Sequence, residues 1–144
     1  MAEQTGEAPL WEFDSLDARP VSSAAFAGKP SVLVFVTTYD PISQQQVNYD
    51  LPLAAEMPDV NFALVALQDA SARELVELYR ETFKVTFPVA MADPATIAGG
   101  GTLGDVHKVP TTVVLARDGR VAWRHEGGVM PAELRERLRK LQAR

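Results

Sequence analysis

The chain has 144 residues, 47% of them hydrophobic and 23% charged, with a formal net charge of −5. That length suits one domain with a conventional core and no need of covalent staples. The acidic balance, with no basic stripe to offset it, argues against nucleic acid as a main partner; the lack of cysteine excludes a disulfide framework and a thiolate zinc site.

The opening residues MAEQTGEAPLWEF are polar and acidic and hold no apolar run, so as written they form neither a signal peptide nor a membrane anchor. The expectation is a cytoplasmic protein; a periplasmic or other extracytoplasmic one would need an export signal ahead of this sequence. Residues 1–9 are expected to be a flexible lead-in to one domain over residues 10–144.

Residues 10–16 suit a short strand, and residues 22–26 a turn of helix closed by Gly28-Lys29-Pro30. Val32-Leu33-Val34-Phe35-Val36 is apolar without alternation, as in a strand buried on both faces of a parallel sheet. Asp40-Pro41 opens a helix, with Asp at the cap and Pro at the first helical position. That helix should run to about Met57, with Pro52 breaking or kinking it. Residues 60–67 (VNFALVAL) give a second buried strand. Ser71-Ala72-Arg73-Glu74 has the form of a capping box, after which Ala72, Leu75, Val76, Tyr79 and Phe83 share one helical face.

Residues 87–91 form a short extended piece, and residues 94–106 (PATIAGGGTLGDV) a mobile glycine-rich connection. Residues 111–115 and 121–125 flank an Asp118-Gly119 turn and predict a β-hairpin. Pro131 starts the last helix, whose Leu134, Leu138 and Leu141 form a core-facing stripe. Its basic residues, Arg135, Arg137, Arg139, Lys140 and Arg144, lie among Glu133 and Glu136, which predicts a solvated face with i,i+4 pairs. The order β-α-β-α, hairpin, α, with no repeat or linker, is that of a single α/β domain: a central mixed sheet flanked by helices, closed by a C-terminal hairpin and helix.

Four stretches resemble the thioredoxin-like superfamily, and within it the TlpA/ResA-like and alkyl-hydroperoxide-reductase-like (redoxin) group. They are Ala27-Gly28-Lys29-Pro30 before an apolar strand, Phe35-Val36-Thr37-Thr38-Tyr39, Thr86-Phe87-Pro88-Val89 and, most specific, residues 109–121 (VPTTVVLARDGRV). The likeness covers roughly residues 10–142. It implies a thioredoxin-like fold, a cis Pro110 facing the active-site loop, and a backbone at Val109 that pairs with an extended peptide. It also shows a departure. Aligned without gaps, Asp40 stands in place of the nucleophilic cysteine and Ser43 in place of the resolving one. Asn48 stands where many relatives have proline, with Pro52 one turn later. Thiol-disulfide exchange needs a thiolate, which neither a carboxylate nor a hydroxyl replaces, so that chemistry is excluded.

Asp40 is read as a helix cap, with an acid or base as the sharper alternative. Ser43 would help satisfy the helix start; as a nucleophile it would need a base beside it, which the sequence does not show. His107 lies two residues before Val109, so Asp40, Asp105 and His107 are a conceivable metal or acid-base cluster, although the spacing matches no known zinc motif and a surface histidine is the plainer reading. His125 falls at the end of the sheet. Gly99-Gly100-Gly101 lacks the ending of a phosphate loop, and Trp11 and Trp123 read as core or edge residues. Tyr39, Asp40, Pro41 and Ile42 opposite Val109 and Pro110 would form a shallow surface for a peptide added as a strand.

The favoured reading is a redox-inactive module that binds a protein or peptide there, without cofactor or metal, as a monomer or weak homodimer. The alternatives are a sulfur-independent enzyme using Asp40 and His107, a degenerate or engineered form of a TlpA-like thiol-disulfide oxidoreductase, and a purely structural subunit.

Overall fold

Two six-residue apolar runs set the centre of the molecule, because neither has a polar side to turn to water. A computed structural model describes residues 7–143; of the expected lead-in, residues 1–6 lie outside the described residues, as does Arg144. In chain order the strands are β1 (Glu12–Ser15), β2 (Val21–Ser22), β3 (Ser31–Val36), β4 (Asn61–Ala66), β5 (Val89–Met91), β6 (Thr111–Leu115) and β7 (Val121–Glu126). The helices are α1 (Ser23–Phe26), α2 (Pro41–Glu56), α3 (Arg73–Thr82), α4 (Pro94–Ile97) and α5 (Pro131–Gln142).

The described residues form one mixed sheet in the order β2-β1-β5-β4-β3-β6-β7. Strands β3 and β4 pair in parallel from Ser31 opposite Asn61 to Val36 opposite Ala66. β5 continues the parallel set beside β4, whereas β6 lies antiparallel on β3 and β7 on β6. Alternate residues of β3 feed two core layers. Val32, Val34 and Val36 join Val47 and Leu53 of α2, Val76 and Tyr79 of α3, and Leu134, Leu138 and Leu141 of α5. Leu33 and Phe35 point the other way, to Trp11, Phe13, Phe26, Leu103 and Val106.

The strands β3, β4 and β6, the hairpin turn with Gly119 at φ 89°, and the stripe of α5 follow the sequence pattern. Four expectations change. The capping box over residues 71–74 does not form: the Asp69 carboxylate accepts the Ser71 N–H at 2.9 Å and the Ser71 hydroxyl as well. With that hydroxyl engaged upstream, a 3-10 turn covers Ala70–Ala72, and α3 starts at Arg73 without a side-chain cap. Leu75, expected in the core face of α3, is 50% exposed. Pro52 does not break α2, which runs on to Glu56; Asn48, whose carbonyl loses its helical partner to the proline, is exposed, as is Pro52.

The glycine-rich segment, expected as a mobile connection, is tied down. It holds α4, buries Thr96, Leu103 and Val106, and gives the Thr102 hydroxyl to the Leu10 carbonyl at 2.7 Å. Arg124 of β7 donates to the Leu103 and Asp105 carbonyls from the other side. On α5, Arg137 pairs with Glu133 one turn back at 3.4 Å, as the charge pattern predicts. Arg135 and Arg139 instead reach across to Glu56 at the end of α2, at 2.7 and 3.3 Å.

Candidate functional site at the start of helix α2

Strand β3 ends at Val36 and delivers residues 37–40 to the top of α2. Asp40 is extended and non-helical, and Pro41, with no N–H to satisfy, takes the first helical position. One carboxylate oxygen of Asp40, Oδ2, accepts both the Ser43 N–H at 2.8 Å and the Ser43 hydroxyl at 2.9 Å. Ser43 is fully buried, its hydroxyl donated to the cap. The pair therefore completes a helix start, an arrangement that stabilises by about 1 kcal/mol. A serine nucleophile would instead need its hydroxyl aimed outward with a base to receive the proton.

The wall behind the cap is well braced. The Thr38 N–H donates to Gln68 Oε1 at 2.8 Å, and the Leu67 N–H to the Val36 carbonyl at 2.8 Å. Tyr79 of α3 is buried, and its hydroxyl is pushed up to about 12, first by burial and then by the negative charge of Asp40. It stays a neutral phenol at any physiological pH.

The front is apolar. Tyr39 is 77% exposed, Ile42 49% and Met130 61%. Met130 enters through the connection from β7 to α5, where a Cβ on Gly128 would lie 3.9 Å from Ile42 Cγ2. The same connection reaches the other predicted residues, because the Gly127 N–H donates to the Pro110 carbonyl at 2.7 Å. The Val109–Pro110 peptide bond is cis, Pro110 is buried and Val109 half-buried. Val109 stands just ahead of β6, outside the ladder that begins with Phe35 opposite Thr111. Residues 39–43 and 109–110 are thus linked through residues 127–130.

His107 packs on the glycine segment, and His125 on the connection that borders Ile42. His107 is exposed beside Asp105, at 3.4 Å, and lies against Gly99, where a Cβ would come within 3.0 Å of its ring. The chain folds it back onto the glycine segment, and no group of three or more histidine or acidic side chains among the described residues could hold a metal. The conceivable metal cluster of Asp40, Asp105 and His107 is thereby corrected. His125 Nε2 donates to the Gly128 carbonyl at 3.0 Å, since a carbonyl can only accept, and its ring stacks on Trp123. The Arg137 guanidinium lies 4.1 Å from the centre of the Trp123 ring, and Trp11 is in the core.

Sequence reasoning missed the polar cluster one turn below the cap. Gln46 and Asp50, both 1% exposed, occupy the buried face of α2 beside Val47 and Leu53. Gln46 Oε1 accepts the Val129 N–H at 2.7 Å, and its amide donates to the Val129 carbonyl at 3.2 Å and to Asp50 Oδ1 at 3.0 Å. Asp50 Oδ2 is buried with no partner among the described residues. Burial pushes the Asp50 carboxyl up to about 7, with the Gln46 bond opposing in part. The available signal was two polar residues spaced i,i+4 on the face of α2 that also carries Val47 and Leu53.

No family model matches the chain, and no curated protein does. Solved structures do. A thiol:disulfide interchange protein of the thioredoxin family from Chlorobium tepidum superposes with a TM-score of 0.80 at 22% identity, covering 94% of each chain. A DsbF homologue from Corynebacterium diphtheriae gives 0.81 at 19%, over 94% of this chain and 87% of its own. A thio-disulfide isomerase from Thermus thermophilus gives 0.75 at 23%, over 94% of both. At such identities the likeness establishes the fold, which is thioredoxin-like, and this sequence carries it without a cysteine. Among the described residues no helix is long and apolar enough to cross a membrane.

Proposed function

We propose that this protein is a thioredoxin-like binding module without redox chemistry, taking an extended peptide segment where residues 39–42 and 109–110 meet. The observation that carries the reading is the contrast at the start of α2. Asp40 Oδ2 holds the Ser43 N–H and hydroxyl in a helix cap, while Tyr39, Ile42 and Met130 face solvent as an apolar rim. A large exposed apolar side chain is ordinary by itself; three around one linked set of loops mark an interaction surface. Val109, beside this rim and ahead of the β6 ladder, supplies backbone to which a strand can be added.

The test is selection of peptides from a displayed random library on the purified protein, then affinity measurement of the enriched sequences. Extended apolar peptides should be enriched, and Tyr39→Glu and Met130→Glu should each weaken them by about tenfold or more, the equivalent of 1.4 kcal/mol. Leu75→Glu, on an exposed position of α3, should leave binding unchanged. Equal loss from all three variants, or from Leu75→Glu alone, would sink the reading. Turnover of insulin disulfides by the pure protein would contradict its redox-inactive part.

A further inference from the structure

A second concave site lies toward the β1–β5 side of the sheet and does not rest on the peptide reading. It is a groove of about 690 Å³ where β1, β5, α4 and the connection after β4 converge. Pockets of some hundreds of Å³ are the size that holds small organic ligands. Its floor is apolar, built from the buried Phe13, Met91 and Ala92, and one wall is Pro94 and Ile97.

The charged residues that line it are all acidic: Glu12 and Asp14 from β1, Asp69 from the connection after β4, and Asp93 before α4. Asp14 is answered by Arg73 at 2.7 Å. Asp69 and Asp93 have only hydroxyl and N–H donors, from Ser71 and Thr96. The bonds from Ser71 hold the Asp69 carboxyl below its ordinary range, so its charge persists.

A second cavity of about 200 Å³ shares Glu12, Phe13 and Asp93 with the first and is also lined by Trp11. An apolar floor of Phe13, Met91 and Ala92 under a rim of carboxylates complements one ligand class, the organic cation. The floor and the wall of Pro94 and Ile97 bury its apolar body, and the carboxylates answer its charge. An anion of the same shape would meet repulsion from Glu12, Asp69 and Asp93.

We infer that the groove between β1 and α4 binds a small apolar organic cation.

The test is fluorescence anisotropy with rhodamine 6G, a lipophilic cation, against fluorescein, an anion of similar shape, titrated with the full chain. Rhodamine 6G should bind saturably, fluorescein should not, and added salt should weaken the cation. Ile97 is 37% exposed, so two substitutions there can be borne without loss of the fold, which circular dichroism verifies. Ile97→Lys should weaken rhodamine 6G about tenfold or more, while Ile97→Glu should retain or tighten it. Equal loss in both variants, equal binding of the two dyes, or no saturable binding at about 1 mM cation would overturn the inference.

Discussion

Along α2, the first turn and the next differ in where their polar atoms go. Asp40 and Ser43 close on each other at the surface end of the helix, so a carboxylate there has both a donor N–H and a donor hydroxyl. Gln46 and Asp50 sit under 2% exposed, where Gln46 is fully used and Asp50 keeps one oxygen without a partner. The comparison teaches that the exposed start of α2 is not where the cost of this scaffold lies. The cap at the surface turn is made; the costly group is a buried carboxyl beside Gln46, the residue that holds the helix to the connection before α5.

The largest effect expected from this contrast is a pH dependence. Asp50 is raised from an ordinary 3.8 to about 7 in the folded state. The folded protein therefore keeps this proton where the unfolded chain has lost it, so the stabilising effect is complete below about pH 4 and disappears as pH rises through about 7. The shift of roughly three units corresponds to about 4 kcal/mol. Urea unfolding followed across that range should show the fall, and Asp50→Asn should flatten it. A slope that survives Asp50→Asn would assign it to other groups.

Next in size is Gln46→Leu. It keeps the volume but leaves the Val129 N–H and the Asp50 carboxyl without their partner, a loss of about 3 kcal/mol in chemical denaturation. Asp40→Ala, at the satisfied surface turn, should cost only about 1 kcal/mol. If Asp40→Ala proved the more damaging of the two, the contrast between the turns would be wrong. Smallest is Glu56→Gln at the far end of α2, which should lower the melting temperature slightly and only at low salt, since exposed pairs are screened.

The fold was largely legible because its central strands are pure apolar runs. Residues 32–36 leave no polar side to expose, and the Asp118-Gly119 turn fixes the hairpin between β6 and β7. The helix cap at Asp40 was legible too, because capping is local and depends on residues a turn apart. What escaped was set by tertiary contact. Ser71 lost its capping role to Asp69, a competition between two valid local signals. Gln46 joins Val129 across 83 positions, which no local pattern encodes. The groove at β1 gathers acids from separate segments, so no stretch of sequence displays its charge.

The two ends of α2 are fastened to the same neighbour. Near its start Gln46 grips the Val129 backbone just ahead of α5, and at its finish Glu56 meets Arg135 and Arg139 on α5 itself. A rod pinned at two points can neither roll nor slide. Its leading tip, residues 39–42, is then an interchangeable fitting on a fixed mount: side chains there can be traded for others while the angle at which they are presented stays the same.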